Sequence, residues 1–342
     1  MQALYFVGER KLEWRDVPMP AVQGDRQAVV RPIASSTCDL DHRIIAGLSP
    51  FEPPFALGHE AVAEVIDVGS SVLSVRPGDL VVVPWHICCG ECANCRAGLS
   101  GHCRSVRPVS AYGVPVGGHW GGLFSDSVLV PYADAMLVKL PRGMDPVAAA
   151  SVSDNLTDAY INARKGLTKH PGARVLVIGG TGCLGPFAVD NALAAGAEAV
   201  DYVDADETRR NVARSLGATV YEAMLPEFQS SYHVVVSGTR DKDDLRAAFL
   251  ALKPGGHLSG MAIYFRDTEV PLWDMFLRDI TFSTGLPSVR SHIPDVLSLV
   301  ESGKLRPRQV VSSIVEWNDA ALALLEPSLK PVVVRARAFV EA

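Results

Sequence analysis

Four cysteines stand first among the residues that could do chemistry. Cys89, Cys92, Cys95 and Cys103 follow one another as C-x2-C-x2-C-x7-C. Four thiolates on a short, glycine-containing loop suit a closed tetrahedral zinc site, and metal binding there becomes folding free energy for a lobe otherwise short of core. An iron–sulfur cluster also uses four cysteines, but its common bacterial spacing ends as C-x3-C-P. Cys88 breaks the spacing and is read as idle. Other donors are dispersed. Cys38 lies in Ser36-Thr37-Cys38-Asp39, and His59 and Glu60 follow Gly58. On residue type alone, Cys38 reads as a small core residue, His59 as a turn histidine and Glu60 as solvated.

A second chemistry is written in Arg174 to Ala195. Val175 to Ile178 is a short β-branched run that suits a strand buried on both faces. Gly180, Gly182 and Gly185 follow as G-x-G-x-x-G, with Cys183 and Leu184 inside the pattern. Pro186 to Ala195 then reads as an alanine-rich helix, with Pro186 tolerated in its first turn. A glycine turn between a strand and a helix lets backbone approach a pyrophosphate, and the helix N-terminus offers unpaired N–H groups to it. Nineteen residues after Gly185 comes Asp204, in Val200-Asp201-Tyr202-Val203-Asp204. An acid at the end of the second strand accepts hydrogen bonds from ribose hydroxyls and repels a 2′-phosphate, which favours NAD over NADP. Asp201 competes for this role but should lie within the strand; Asp204 could also simply open a surface loop before a helix at Glu207 to Leu216.

These groups need elements to hold them. Residues up to about 150 read as short strands divided by turns: Ala28 to Pro32, Ala61 to Val68, Leu80 to Pro84 and Ser127 to Val130, with turns at Gly69, Arg76-Pro77-Gly78-Asp79 and Gly117-Gly118. From about Ser153 strands and helices alternate. Val175 to Ile178, Ala199 to Val203, His233 to Ser237, His257 to Met261 and Thr281 to Ser283 read as strands, with a helix at Lys242 to Leu252. Such alternation predicts a parallel, doubly wound sheet. A helix at Ile293 to Ser302 and a strand at Pro331 to Val334 end the chain.

Composition narrows the rest. With 342 residues the chain is too long for one ordinary core, and 48% hydrophobic and 20% charged residues predict a soluble globular protein. A net charge of −6 with no basic cluster argues against nucleic acid or an anionic membrane as partner. No apolar run reaches membrane-spanning length, and Met1 to Arg10 lacks the layout of a signal peptide. Seven cysteines cannot all pair within the chain, and metal-like spacing fits a reducing cytoplasm.

Gly58-His59-Glu60, the four-cysteine lobe and the later glycine turn, in this order, resemble the zinc-dependent medium-chain alcohol dehydrogenases, including their sorbitol and threonine dehydrogenase-like members. The resemblance covers essentially the whole chain. It implies an α/β fold: a GroES-like β-rich catalytic domain over 1–152 carrying the structural zinc lobe 86–104, plus a Rossmann doubly wound parallel-sheet nucleotide domain over 153–287. Residues 288–342 would return to the catalytic domain. It implies two zinc ions per chain and NAD. Cys38 and His59 would be catalytic zinc ligands, and Glu60 a neighbouring acid that can ligate transiently. Asp154, in Ser151-Val-Ser-Asp154-Asn-Leu-Thr157, would be the third ligand, with Ser153 the off-by-one alternative. The cofactor would lie on Gly180, Gly182, Cys183, Leu184 and Gly185, with Thr157, Asp204, Arg209 near the ribose and Lys330 at the phosphates; both bases could instead be solvated.

The pattern departs from the family in one place. The hydroxyl that passes a proton away, two residues after the zinc cysteine, is here Leu40. His42 and Asp39 lie nearby, and Glu60 through a water is another route. The implied reaction is hydride transfer between an alcohol, a secondary alcohol or polyol, and NAD, in a homodimer or homotetramer. The alternative, motivated by Leu40, is an NAD(P)H-dependent reductase of an activated C=C, C=N or carbonyl substrate. A catalytically silent protein that keeps the fold is a third possibility. Trp85, Trp120, Phe124 and Tyr264 are candidates for the pocket wall, and His119 reads as a turn histidine.

Overall fold

Short β-branched runs dominate the first part of the chain, and they fold as strands. The computed structural model describes residues 1–180 and 182–336. The chain divides into two compact units: Met1–Thr157 with Pro287–Glu301 and Val311 onward, and Asp158–Leu286 with Ser302–Val310. The boundaries expected at 152/153 and 287/288 thus compare with divisions at 157/158 and 286/287, and residues 302–310 go to the second unit.

In the first unit, β1 (Gln2–Gly8), β2 (Lys11–Asp16) and β4 (Phe55–Ala56) form a small antiparallel sheet in the order β2-β1-β4. The larger sheet holds β3 (Ala28–Ser36), β5 (Glu60–Val68), β6 (Leu80–Val83), β7 (Val128–Val130) and β8 (Val138–Lys139). β15 (Ser313–Glu316) and β16 (Pro331–Val334) extend it, in the order β15-β16-β3-β5-β6-β8, with β7 also on β3. β3 runs four residues beyond the expected Pro32, because a register shift between Pro32 and Ala34 absorbs the proline's missing N–H. Its core collects Val30, Ala61, Ala63, Val65, Val81, Val83, Leu123 and Val128.

The second unit carries β9 (Val175–Ile178), β10 (Val200–Val203), β11 (Thr219–Tyr221), β12 (Tyr232–Ser237), β13 (Leu252–Gly260) and β14 (Thr281–Thr284). Every pairing is parallel and the order is β11-β10-β9-β12-β13-β14. Counted from β9 this is 3-2-1-4-5-6, the doubly wound Rossmann order, whose direction reverses between β9 and β12. Strands β9 and β10 are buried throughout, as both-face burial in a parallel sheet requires.

Helix ends follow local chemistry. The helix Glu207–Leu216 is capped by the Asp206 carboxylate at its start and stopped by Gly217 in the left-handed region, φ 109°. The helix Leu184–Ala194 begins two residues before Pro186, which therefore sits in its first turn. The helix expected to reach Leu252 ends at Ala251, because Leu252 turns extended and joins β13, five residues ahead of the expected His257. Several elements had no counterpart in the sequence pattern, among them the β1–β2 hairpin, β11, β15 and the helices Asn155–Lys169 and Leu272–Arg278. No helix among the described residues is long and apolar enough to cross a membrane.

Candidate catalytic metal site and nucleotide cradle

Three turns of the first unit bring the dispersed donors together. Cys38 is the N-cap of the helix Asp39–Ile45; its Sγ accepts from Leu40 N at 3.1 Å and its own N–H donates to Asp41 Oδ2 at 2.9 Å. His59 follows Gly58, whose φ of 94° and closeness to the Phe124 ring leave no room for a Cβ. Asp154 ends the short 3₁₀ turn Ala150–Ser153. The Ser153 hydroxyl is committed elsewhere, donating to Ala150 O at 2.8 Å and accepting from Ala61 N at 3.1 Å. Cys38, His59 and Asp154 are all buried, and their ligand atoms lie within 4.8 Å of one another.

The site fits a divalent cation. Cys38 Sγ is 2.8 Å from His59 Nε2, and His59 Nε2 is 3.6 Å from Asp154 Oδ2. Burial, then the charges of Asp41, Asp154 and Glu60, push the Cys38 thiol well above its usual range. Burial lowers the His59 pKa, but Asp41, Asp154 and Glu60 outweigh it and lift the group to about 9. A thiol, an imidazole and several carboxylates crowded in one buried place are a poor arrangement without a cation and a good one around it, because a bound ion inverts the local pKa logic. Two further atoms point the same way. His59 Nδ1 and Asp41 Oδ1 are buried without hydrogen-bond partners among the described residues and lie 3.6 Å apart. Coordination through Nε2 would leave a proton on Nδ1 facing that carboxylate, the usual support of a metal-bound histidine. Asp41 is not among the residues the sequence singled out; its signal is its place three residues after Cys38, where an acid reaches back to the N-cap backbone.

Glu60 lies apart from the three donors. Its Oε1 accepts from Asn155 N at 2.9 Å and its Oε2 pairs with Lys330 Nζ. Burial raises the Glu60 pKa, to about 7, against the opposing pull of Lys330. Lys330, expected at the cofactor phosphates, is fully buried here, and its Nζ also donates to Thr37 O and Asn155 Oδ1. Its three N–H bonds are thereby assigned. Thr157 is likewise buried, its hydroxyl donating to Val152 O at 2.6 Å. His42 Nε2 is 3.0 Å from Thr37 Oγ1, and burial lowers its pKa. Of the pocket candidates, Trp85 is buried, with its backbone N–H on Ser153 O and its Nε1 on Pro287 O. Phe124 is a correction: its ring is wholly buried over Gly58 and against Trp317, so it is core and not pocket wall. Trp120 packs on the core of the larger sheet, His119 is exposed, and the Tyr264 hydroxyl in the second unit donates to Thr239 O.

The cysteine lobe forms the second donor set. Cys89, Cys92, Cys95 and Cys103 place their sulfurs within 4.8 Å of one another, and Cys88 is outside this set. Backbone N–H groups of Cys92, Cys95, Cys89 and Arg104 point at sulfurs at 3.3 to 3.5 Å, and Ser105 Oγ donates to Cys89 Sγ at 3.2 Å. Hydrogen bonds from Arg104 N and Cys95 N hold the Cys92 thiol down at about 6. Donors aimed at the sulfurs of Cys89, Cys92 and Cys103 favour thiolates, which is what a closed zinc site needs, while burial pushes the Cys95 and Cys103 thiols up until a cation compensates. Arg26 ties the lobe to the β domain, donating to Cys89 O and to Glu91 while stacking on Tyr132.

In the second unit the glycines follow β9. A Cβ on Gly180 would meet Gly238 O at 2.1 Å, and one on Gly185 would meet the Tyr202 hydroxyl at 2.8 Å. The bare backbone is therefore required for the turn to close on β12 and for the helix to pack on β10, and it leads through Gly182 and Cys183 into Leu184 at the helix start. This is a cradle a pyrophosphate fits. Asp201 is spent on structure, paired with Arg174 and the Tyr232 hydroxyl. Asp204, just past β10, is held by Arg209.

Residues 24–142 match the model of the alcohol dehydrogenase GroES-like domain. Over 334 residues the chain is 29% identical to "Probable zinc-binding alcohol dehydrogenase Rv1895" of Mycobacterium tuberculosis, covering 94% of this chain and 84% of that one. The alcohol dehydrogenase TADH from Thermus sp. ATN1 superposes with a TM-score of 0.89 at 29% identity, over 98% of this chain and 100% of its own. The alcohol dehydrogenase of Moraxella sp. (strain TAE123) is 30% identical over 322 residues, 90% of each chain. The chain belongs to the zinc-dependent medium-chain alcohol dehydrogenases. An acetophenone reductase from Geotrichum candidum, solved in complex with NAD, is also similar, at 26% identity and a TM-score of 0.82 over 97% and 96% of the two chains. This dehydrogenase thus combines a GroES-like domain, a Rossmann sheet, a four-cysteine zinc site and a second zinc site of one cysteine, one histidine and one aspartate.

Proposed function

We propose that this enzyme transfers hydride reversibly between a secondary alcohol or polyol and NAD, giving the ketone or aldehyde. The observation that carries the reading is the buried Cys38, His59 and Asp154 set, with its ligand atoms converging and Asp41 waiting behind His59. A zinc ion held there would act as a Lewis acid on the substrate oxygen, and a dinucleotide on the glycine cradle would accept the hydride. The chain's own residues do the rest. Asp41 orients His59; the Glu60–Lys330 pair keeps a carboxylate close to the ligands without adding a bare charge to them. Trp85, fixed at both its backbone and its indole nitrogen, offers an apolar wall. Asp204 and Arg209 serve the adenosine ribose.

Leu40 cannot carry a proton, and its backbone N–H is committed to Cys38 Sγ. The Thr37 hydroxyl and His42 imidazole, 3.0 Å apart, supply the hydroxyl–imidazole couple that position 40 lacks. Leu40 also supports the second reading, reduction of an activated C=C or C=N bond. A panel of secondary alcohols and polyols with NAD, beside unsaturated carbonyls with NADH, separates the two. Alcohol-dependent formation of NADH is expected; consumption of NADH by unsaturated carbonyls with no alcohol oxidised would overturn the first reading.

The chain is proposed to act as a homodimer or homotetramer in the cytoplasm. The segment Ile280 to Leu286 is the suggested contact, and its setting supports this. Among the described residues β14 pairs only with β13, and the helix Leu272–Arg278 exposes Leu272, Trp273, Phe276 and Leu277. Contiguous exposed apolar side chains of that size mark interaction surfaces. Sedimentation of Trp273→Glu beside the parent chain is the test, and an unchanged monomer in both would remove the assignment.

A further inference from the structure

We propose that the first unit carries a second small-molecule site, for a neutral saccharide, in a pocket walled by the β1–β2 hairpin and the 3₁₀ turn Trp317–Asp319. The pocket has a volume of about 440 Å³, within the range of small-ligand sites, and is lined by Gln2, Trp14, Asp126, Trp317, Asn318 and Arg335. None of these belongs to the metal sites or the glycine cradle, so the site lies outside the reaction proposed above. Strand register accounts for the wall. Gln2 opposes Asp16 and Leu4 opposes Trp14, so these side chains share one face of the hairpin. The indole of Trp14 stands 6.2 Å from that of Trp317, tilted by 38°. Two inclined aromatic faces thus form the apolar side.

The polar groups are of both signs and only partly used. Asp126 Oδ1 accepts from Arg335 Nη2 at 2.9 Å and Oδ2 from Gln2 N at 2.7 Å, which leaves each oxygen a further lone pair. Arg335 is committed through Nε to Pro32 O and through Nη2 to Ser125 O and Asp126; its Nη1 makes no hydrogen bond among the described residues. Trp317 is 6% exposed, and its buried Nε1 has no partner among the described residues. A buried donor left unpaired is costly, and an acceptor brought by a ligand removes the cost. The charges select the ligand. An anion would meet Asp126 and also Asp16, which is bonded to the Gln2 amide. A cation would find one face of Trp317 taken, because the Arg335 guanidinium stacks 3.8 Å from the ring centroid. A pyranose carries no charge. Its C–H face packs on an indole, and its hydroxyls both donate to a carboxylate and accept from an indole or guanidinium N–H. The aromatic wall and the polar rim fit the two sides of one sugar ring.

Titrating the zinc-loaded protein with the methyl glycosides of glucose, galactose and mannose, by calorimetry and saturation-transfer NMR, reads binding without turnover. At least one is expected to bind with a Kd of about 1 mM or tighter. Trp14→Ala should weaken it by about tenfold or more. Trp317→Phe keeps a ring and loses the N–H, and should weaken it by about fivefold, the worth of one hydrogen bond. Glucosamine and glucose 6-phosphate, which add a charge of either sign, should bind more weakly than the neutral sugar. His59→Ala should bind the glycoside as the parent does, and Trp14→Ala should oxidise alcohols as the parent does. These two variants separate the pocket from the reaction centre, so that either reading can fail without the other. No binding by any of the three glycosides would overturn the proposal. So would binding kept in both Trp14→Ala and Trp317→Phe, binding lost in His59→Ala, or tighter binding of a charged sugar.

Discussion

The two metal sites of the first unit solve opposite problems. The lobe takes four identical donors from one short stretch, Cys89 to Cys103, and surrounds the sulfurs with backbone N–H groups. The catalytic site takes three different donors from positions 38, 59 and 154, buries them, and stacks charged groups behind them: Asp41 on His59, and Glu60 on Lys330. A closed set of four thiolates has no position left for substrate, whereas three ligands leave one open. The lobe is built to hold, and the dispersed site to hold and react. Removing a ligand from each should accordingly damage different properties.

The sharpest contrast is expected from His59→Ala. Loss of a catalytic ligand should lower kcat/KM by on the order of 1,000-fold or more, since a metal supplies several kcal/mol of transition-state stabilisation and each 1.36 kcal/mol is tenfold. Zinc content should fall from two to one per chain, with the circular dichroism spectrum kept. Retained activity at one zinc per chain would erase the distinction between the two sites.

Behind the catalytic ligands the expected effect passes from rate to stability. Lys330→Met leaves Glu60 buried beside Asp154 without its cation, and breaking a buried pair in this way costs about 3–5 kcal/mol. Adding Glu60→Gln should restore most of the loss, because the uncompensated charge goes too. Denaturant unfolding of both single variants and the double variant measures the coupling. Additive losses would mean that the two groups do not act as a pair.

On the lobe side, Cys95→Ser should unfold a local segment and not the reaction centre. A loss of about 3 kcal/mol would lower Tm by about 4 °C for a chain of this size. At a temperature well below the new midpoint, kcat/KM should stay within about threefold of the parent, because no lobe thiolate is placed on the substrate oxygen. A fall in rate as large as that of His59→Ala, with Tm unchanged, would reverse the roles of the two sites.

The same contrast explains what the sequence could disclose. The lobe was legible from spacing, because its ligands are neighbours in the chain and only one chemistry suits that interval. The helix Glu207–Leu216 was legible to the residue, because Asp206 and Gly217 mark both of its ends. Cys38, His59 and Asp154 were not legible by type, since each has an ordinary reading until the fold brings β3, β5 and a 3₁₀ turn together; the resemblance supplied them. Lys330 shows the limit of carrying a role over. Position suggested a phosphate ligand, but only packing reveals that its three donors meet Thr37, Glu60 and Asn155. The helix Asn155–Lys169 escaped because its polar first turn, Asn-Leu-Thr-Asp, lacks a clear apolar stripe. Phe124 was misplaced because an aromatic near a functional glycine reads equally as pocket or core, and the missing Cβ of Gly58 decides for core.

Asp41 gives the finest test of the comparison, since it belongs to the catalytic site without being a ligand. It is fully buried, its Oδ2 accepts from Cys38 N, and its Oδ1 faces His59 Nδ1 at 3.6 Å. It therefore acts on two ligands at once, fixing the turn that presents the Cys38 sulfur and the ring orientation of His59. Asp41→Asn keeps the shape and an acceptor oxygen but loses the charge, and should weaken catalytic-site zinc affinity by about 10- to 100-fold, the usual cost of removing a carboxylate behind a ligating histidine. A competitive chelator titration monitoring the two zinc ions separately should show the lobe ion unmoved. Asp41→Ala adds the loss of the hydrogen bond to Cys38 N and should cost more. Were the two variants equal, the carboxylate's charge alone would account for its effect; were neither to shift the chelator curve, His59 would be oriented by something other than Asp41.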